Sequence, residues 1–209
     1  ILNAKNSGTL GRLILGLLVR SPYKIKLIGD KSLSKRDFSR ITTPLKKFGA
    51  KFYYKTKNKL PLSILGTKSL EGINYLENKG SAQCKSSVML AALNASGTTS
   101  IKAKKSRDHS ELLFKYLKIP TKIKKTLNYD FIDIKQPTKI KAFNYRIPAD
   151  ISSSAFFIVL TILANNSKLL IKNVNINPSR TGVIKILKKM GAKIFFKNIK
   201  SYKGEKISD

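Results

Sequence analysis

The sequence predicts an α/β protein assembled from a repeated strand–helix–strand–helix–strand–strand unit of about seventy residues. Three observations predict it. Polar turns with a basic residue close behind begin at Ser34, Ser106 and Ser179, in steps of 72 and 73 residues. The helix ends downstream of them are alike: PLKKFGAKF at 44–52, LLFKYLKI at 112–119 and ILKKMGAKI at 186–194. Small-residue helix openings at Ser7, Ser81 and Ser152 keep nearly the same spacing.

The first copy opens with Asn6-Ser7-Gly8-Thr9, then Arg12 and an apolar run from Leu13 to Val19. Gly8 permits close backbone approach and Ser7 or Thr9 can cap the helix, which makes its start a candidate anion site. Tyr23 to Ile28 alternates polar and apolar residues and reads as a strand that ends at Gly29-Asp30. Ser34-Lys35-Arg36-Asp37 opens a second helix with Ile41, Leu45 and Phe48 on its apolar face. Pro44 lies inside that pattern, so its first part is expected to form a separate turn. Gly49 is the stop, and Ala50–Tyr54 and Pro61–Gly66 read as strands.

In the second copy Ser81-Ala82-Gln83 runs into an apolar helix ending near Asn94. A short alternating strand follows a Gly-Thr-Thr turn, and Ser106-Arg107-Asp108-His109 opens a helix with Leu113, Tyr116 and Leu117 on one face. Lys122–Lys124, Phe131–Lys135 and Lys139–Ile147 read as short strands. The third copy begins at the Pro148-Ala149-Asp150 turn, where Asp150 is either a helix cap or a site residue. Ser152-Ser153-Ser154 leads into the apolar helix Ala155–Ala164, and Leu169–Val174 reads as a strand. Asn177–Thr181 opens a helix with Val183, Ile186, Leu187 and Met190 as its core face; Gly191 stops it and Ala192–Phe196 returns as a strand.

Composition narrows the class. The longest apolar run, Ala155–Ala164, is half the roughly twenty residues a membrane helix needs. The single Cys84 excludes a disulfide framework within the chain and favours a reducing compartment, so a cytoplasmic protein is expected. The formal net charge of +31 would suit a nucleic-acid partner, and a basic repeat protein binding nucleic acid is the competing reading. The lysines, however, are scattered along the whole chain in a Lys-, Ile- and Asn-rich composition, without an aromatic-interleaved nucleic-acid motif. Neither a nucleic-acid nor a membrane partner is expected.

Six motifs in order carry a resemblance: N-x-G-T-x-x-R-L, G-D-x-S-L-x-x-R, S-A-Q-x-K-S, S-R-D-H-x-E, P-x-D-I-S-S-x-A-F-F and N-x-x-R-T-G. Together they resemble the enolpyruvyl transferases, and within them the branch acting on shikimate 3-phosphate. The sibling branch acting on UDP-N-acetylglucosamine normally has a reactive Cys before the loop Arg, where Gly29 to Arg36 has none. The resemblance implies an inside-out α/β fold with helices packed inside and sheets outside. It implies that this chain is the middle of a protein about twice as long. Residues 1–147 would be the last two units of one domain, the first of them incomplete, and 148–209 the first unit of a second domain.

The activity implied is transfer of the carboxyvinyl group of phosphoenolpyruvate to the 5-hydroxyl of shikimate 3-phosphate, with release of phosphate and no metal or organic cofactor. Ser81, Ala82, Gln83, Ser106 and Arg107 would hold shikimate 3-phosphate. Gly8, Arg36 and Gln83 would hold phosphoenolpyruvate, with Asn6 and Thr9 shaping that pocket. No catalytic residue would lie within the chain, which alone would be inactive; the complete enzyme would be a monomer. His109, the only histidine, is expected to pack or hydrogen-bond rather than carry protons. Two positions depart from the family pattern: Asp37 stands where Pro follows the loop Arg, and Ala149 where Gly precedes the Asp. An acid beside Arg36 could partly neutralise it. Gly8, rather than Ala, implies sensitivity to glyphosate, an inhibitor of the family.

Overall fold

A computed structural model describes all 209 residues. In chain order the elements are β1 (Leu2–Asn3), α1 (Gly8–Leu18), β2 (Lys24–Ile28), α2 (Lys31–Ser34), α3 (Ser39–Lys47), β3 (Lys51–Tyr54), β4 (Leu62–Leu65), β5 (Asn74–Glu77), α4 (Ala82–Ala92), β6 (Thr98–Lys104), α5 (His109–Tyr116), β7 (Thr121–Lys125), β8 (Tyr129–Lys135), α6 (Ile151–Leu163), β9 (Val174–Asn175), α7 (Gly182–Lys189), β10 (Lys200–Tyr202) and β11 (Glu205–Ser208). They fall into two compact units, residues 1–106 with 118–140, and residues 107–117 with 141–209. No helix is long and apolar enough to cross a membrane.

The first unit displays the repeat as topology. Its two sheets have the orders β1-β2-β4-β3 and β5-β6-β8-β7, the same pattern twice. In each, the first two strands are parallel and the other pairings antiparallel. Helices α1 and α3 pack on strands of the first sheet, α4 packs on strands of the second, and the three helices pack on one another. The helices are therefore inside and the sheets outside. Alternation along β6 and β8 agrees, with Ile101, Ala103, Ile132 and Ile134 buried and Lys102, Lys104, Phe131 and Asp133 exposed. Central placement explains α4, which has no polar stripe and buries Cys84 through Met89, then Ala91 and Ala92.

Where α1 crosses α4, Gly16 permits an approach no other residue would. A Cβ there would lie 2.2 Å from the backbone oxygen of Ser87. The Ser87 hydroxyl donates to the Arg12 carbonyl at 3.0 Å at the same crossing. Both helix starts are capped as the small-residue openings predict. Ser7 Oγ accepts from Leu10 N–H at 3.1 Å and Ser81 Oγ from Cys84 N–H at 3.3 Å.

The first part of the region opened by Ser34 is separate, as expected: α2 ends at Ser34 and α3 begins only at Ser39, although Pro44, which prompted the expectation, lies inside α3. Asp30 caps α2 by accepting from Leu33 N–H at 2.7 Å. Ile41, Leu45 and Phe48 are buried on α3 as expected, and Gly49 stops it with φ +96°.

In the second unit α5 packs on β11, and β11 pairs with β9 and β10. The third copy keeps the repeat order in thin form. Ala149 bridges Val174 in parallel, β9 pairs β11 antiparallel, and Lys197 exchanges two backbone hydrogen bonds with Asp209. Helix α6 begins at Ile151, four residues before the predicted Ala155, because Asp150 caps it by accepting from Ser152 N–H and Ser153 N–H at 3.3 and 3.2 Å.

Three predicted strands are corrected. Lys139–Ile147 has no ladder; Tyr116, Phe143, Tyr145 and Tyr202 meet edge to face or tilted, and Tyr202 accepts from Arg146 N–H at 2.9 Å. Its alternation serves aromatic packing instead. Leu169–Val174 is a strand only from Val174, and Ala192–Phe196 is not one, since neither segment finds a ladder partner over its length. The α7 face is corrected in part: Val183 packs on the buried cluster as expected. Ile184 is its buried residue, with Ile151 and Val174, while Ile186 and Met190 are exposed.

Candidate functional site

The N-terminal ends of α1 and α4 bring most of the predicted residues of the first unit together. Gln83, in the first turn of α4, is held through both ends of its amide. Its Oε1 accepts from Arg12 Nη1 at 3.0 Å, and its Nε2 donates to Thr9 Oγ1 at 2.7 Å. Gly8, the first residue of α1, faces two guanidinium groups. A Cβ on Gly8 would lie 2.6 Å from Arg12 Nη1, 3.1 Å from Arg36 Nη1 and 3.6 Å from Leu33 Cδ1. Gly8, Thr9, Arg36 and Gln83 therefore share one locality, with Arg12 at its centre.

Arg12 is the residue that sequence reasoning underused. It stands ahead of the apolar run and at a motif position, with no role assigned from sequence, yet its guanidinium both orients Gln83 and stacks over Phe38 with its carbon 5.4 Å from the ring centroid. Its place one helical turn beyond Gly8 was the available signal, since residues i and i+4 share a face. Burial lowers the Arg12 pKa, and neighbouring Arg36 and Arg40 lower it further against an opposing pull from Cys84. Two adjacent guanidinium groups beside the N-terminus of α1 form a locus of positive potential suited to an anion.

Asn6 and Asp37 serve the backbone of this site. Asn6 Nδ2 donates to Asp30, and Asp30 caps α2, so the loop before α1 is tied to the loop carrying Arg36. Asp37 accepts from Ser39 N–H at 2.5 Å at the start of α3. Its hydrogen bonding with Ser39 holds its carboxyl below the usual range. The acid after the loop Arg is thus engaged by the start of α3.

Ser81 caps α4, and Ala82 is the first residue of that helix. Ser106 closes the stretch after β6, and its hydroxyl oxygen is buried without a hydrogen-bond partner. A buried hydroxyl left this way is costly unless something else supplies a partner, as a bound oxyanion would. Arg107 belongs to the second unit and is exposed ahead of α5.

Also in the second unit, His109 Nδ1 meets Glu205 Oε1 at 2.5 Å. Asn177 Nδ2 donates to Asp108 Oδ1 at 2.8 Å and to Glu205 Oε2 at 3.4 Å. His109 is thus hydrogen-bonded, as expected, and its partner is a carboxylate from β11. Asp150, besides capping α6, pairs with Arg180, whose Nη2 also donates to Ser152 Oγ at 2.6 Å.

Comparison with known proteins decides the family. The family model described as EPSP synthase (3-phosphoshikimate 1-carboxyvinyltransferase) matches residues 1–206. The chain belongs to the EPSP synthase family. A 3-phosphoshikimate 1-carboxyvinyltransferase of Petrotoga mobilis is 42% identical over 212 residues, covering 100% of this chain and 48% of the relative. Proteins of the same name from Caldicellulosiruptor bescii and Bacillus subtilis are each 41% identical, over 207 and 199 residues. A solved EPSP synthase from Acinetobacter baumannii superposes with a TM-score of 0.83 at 38% identity, over 99% of this chain and 46% of that one. The chain spans about half the length of the curated EPSP synthases it matches. The inside-out packing of the first unit is that of the EPSP synthase fold.

Proposed function

We propose that this chain supplies the substrate-holding part of a 3-phosphoshikimate 1-carboxyvinyltransferase, the activity named for its EPSP synthase relatives. The observation that carries the proposal is the meeting of Gly8, Thr9, Arg12, Arg36 and Gln83 at the start of α1 and α4. Both substrates are anions, so binding needs fixed donors that lose little freedom when the ligand arrives. An amide held by two partners and a pair of juxtaposed guanidinium groups meet that need.

In this reading Arg36 and the backbone at Gly8 take phosphoenolpyruvate, while Asn6 and Thr9 shape the pocket through Asp30 and Gln83. Ser81, Ala82, Gln83 and the buried Ser106 hydroxyl take shikimate 3-phosphate, and Arg107, next in the chain, is proposed for the same ligand. Positioning and charge compensation are what these residues contribute to carboxyvinyl transfer. The cytoplasm is the compartment in which the activity would operate, consistent with the single free Cys84.

Calorimetric titration of the chain tests the reading. Shikimate 3-phosphate should give a saturable heat, shikimate lacking the phosphate a much weaker one, and Gln83→Ala should reduce the first. Equal binding of shikimate and its phosphate, or no effect of Gln83→Ala, would contradict it.

A further inference from the structure

The loop that delivers Ser81 to α4 is built around a buried acid, Glu77, the last residue of β5. Its side chain is 3% exposed. Oε2 accepts from Ser81 N–H at 2.9 Å, and Oε1 accepts from Lys79 N–H at 3.2 Å and from Arg40 Nη2 at 3.3 Å. Two of its three bonds therefore go to the backbone of the turn between β5 and α4. Gly80, inside that turn, has φ +67°, so the backbone reverses there through a conformation that needs glycine. Ser81 then caps α4.

Charge makes this arrangement informative. A carboxylate four residues from a phosphate-binding serine would repel the ligand, so an acid placed only for packing would be a poor choice. Here its charge is taken up by Arg40 and by two N–H groups, and in exchange it dictates the direction of the Ser81 backbone.

We propose that Glu77 is a positioning residue for shikimate 3-phosphate, fixing the Lys79–Ser81 turn so that Ser81 and the first turn of α4 face the ligand. The inference rests on the substrate reading above.

The test combines amide hydrogen exchange with shikimate 3-phosphate titration followed at the Ser81 and Gln83 amides, using the whole chain. In Glu77→Gln, exchange at Lys79 and Ser81 should quicken while the core amides of Leu15 and Leu27 keep their protection. Affinity should fall about tenfold, the scale of one lost charge-assisted hydrogen bond. Glu77→Asp, which keeps the carboxylate, should recover a large part of that loss. A general loss of stability would instead quicken exchange in the core as well. Glu77→Gln binding with unchanged affinity would overturn the proposal. Should Glu77→Gln not fold, Glu77→Asp decides: a loss of affinity well under tenfold that comes with faster Ser81 exchange supports the role, and Ser81 exchange unchanged from wild type overturns it. A wild-type chain without shikimate 3-phosphate-dependent shifts would overturn the substrate reading itself, and this role with it.

Discussion

At Gly8 the site has no room for a methyl group. The Cβ position lies 2.6 Å from Arg12 Nη1 and 3.1 Å from Arg36 Nη1, both at the far ends of flexible side chains. Those ends can retreat, so Gly8→Ala should leave the chain folded while displacing Arg12, which orients Gln83, and Arg36, the cation proposed to take phosphoenolpyruvate. In a complete enzyme carrying this segment, steady-state kinetics should show KM for phosphoenolpyruvate rising several-fold and glyphosate inhibition weakening. Unchanged inhibition would refute the steric argument. The sequence marked Gly8, Thr9, Arg36 and Gln83 through motif order. It could not show that Gln83 is oriented by Arg12 and Thr9, because those bonds join residues more than seventy positions apart. Nor could it show that Asp37 turns to Ser39.

Among the elements, those of the first unit were largely legible, because alternation and helical periodicity are local and both sheets are completed there. The misses have a common cause. Lys139–Ile147, Leu169–Val174 up to its last residue, and Ala192–Phe196 carry strand-like patterns, but a strand also needs a partner ladder, which no local pattern encodes. Likewise α7 turns Ile184 inward, where an i, i+3, i+4, i+7 count chose Ile186 and Met190.

The link from α5 to β11 through His109 and Glu205 was equally invisible, and it has a pH consequence. Burial tends to raise the Glu205 pKa, but hydrogen bonds from His109, Asn175 and Asn177 outweigh it and hold the carboxyl below its ordinary value of 4.5. A depressed carboxyl contributes stability above its unfolded-state pKa. That contribution fades as pH drops below about 4.5 and is gone once pH passes below the folded-state pKa. Thermal melts across the acid range should therefore fall less steeply for Glu205→Gln than for the wild-type chain. Parallel curves would remove Glu205 from the account.

For the molecule as a whole, the repeat is the organising fact. One topology appears twice in the first unit and in thin form in the second, and it sets capped helix starts at Ser7, Ser81 and Asp150 at regular intervals along the chain. The charge of +31 is dispersed over this framework, with Lys24, Lys102 and Lys188 lying over aromatic rings. The chain spans about half of its EPSP synthase relatives, so we propose turnover for the longer protein and substrate holding for this part. The most direct measurement is phosphate release from phosphoenolpyruvate in the presence of shikimate 3-phosphate. It compares the chain alone with a chimera in which it replaces the matching segment of the Petrotoga mobilis relative. The account predicts no release by the chain alone, and turnover by the chimera that collapses with Arg36→Ala; turnover by the chain alone, or a chimera indifferent to Arg36→Ala, would contradict it.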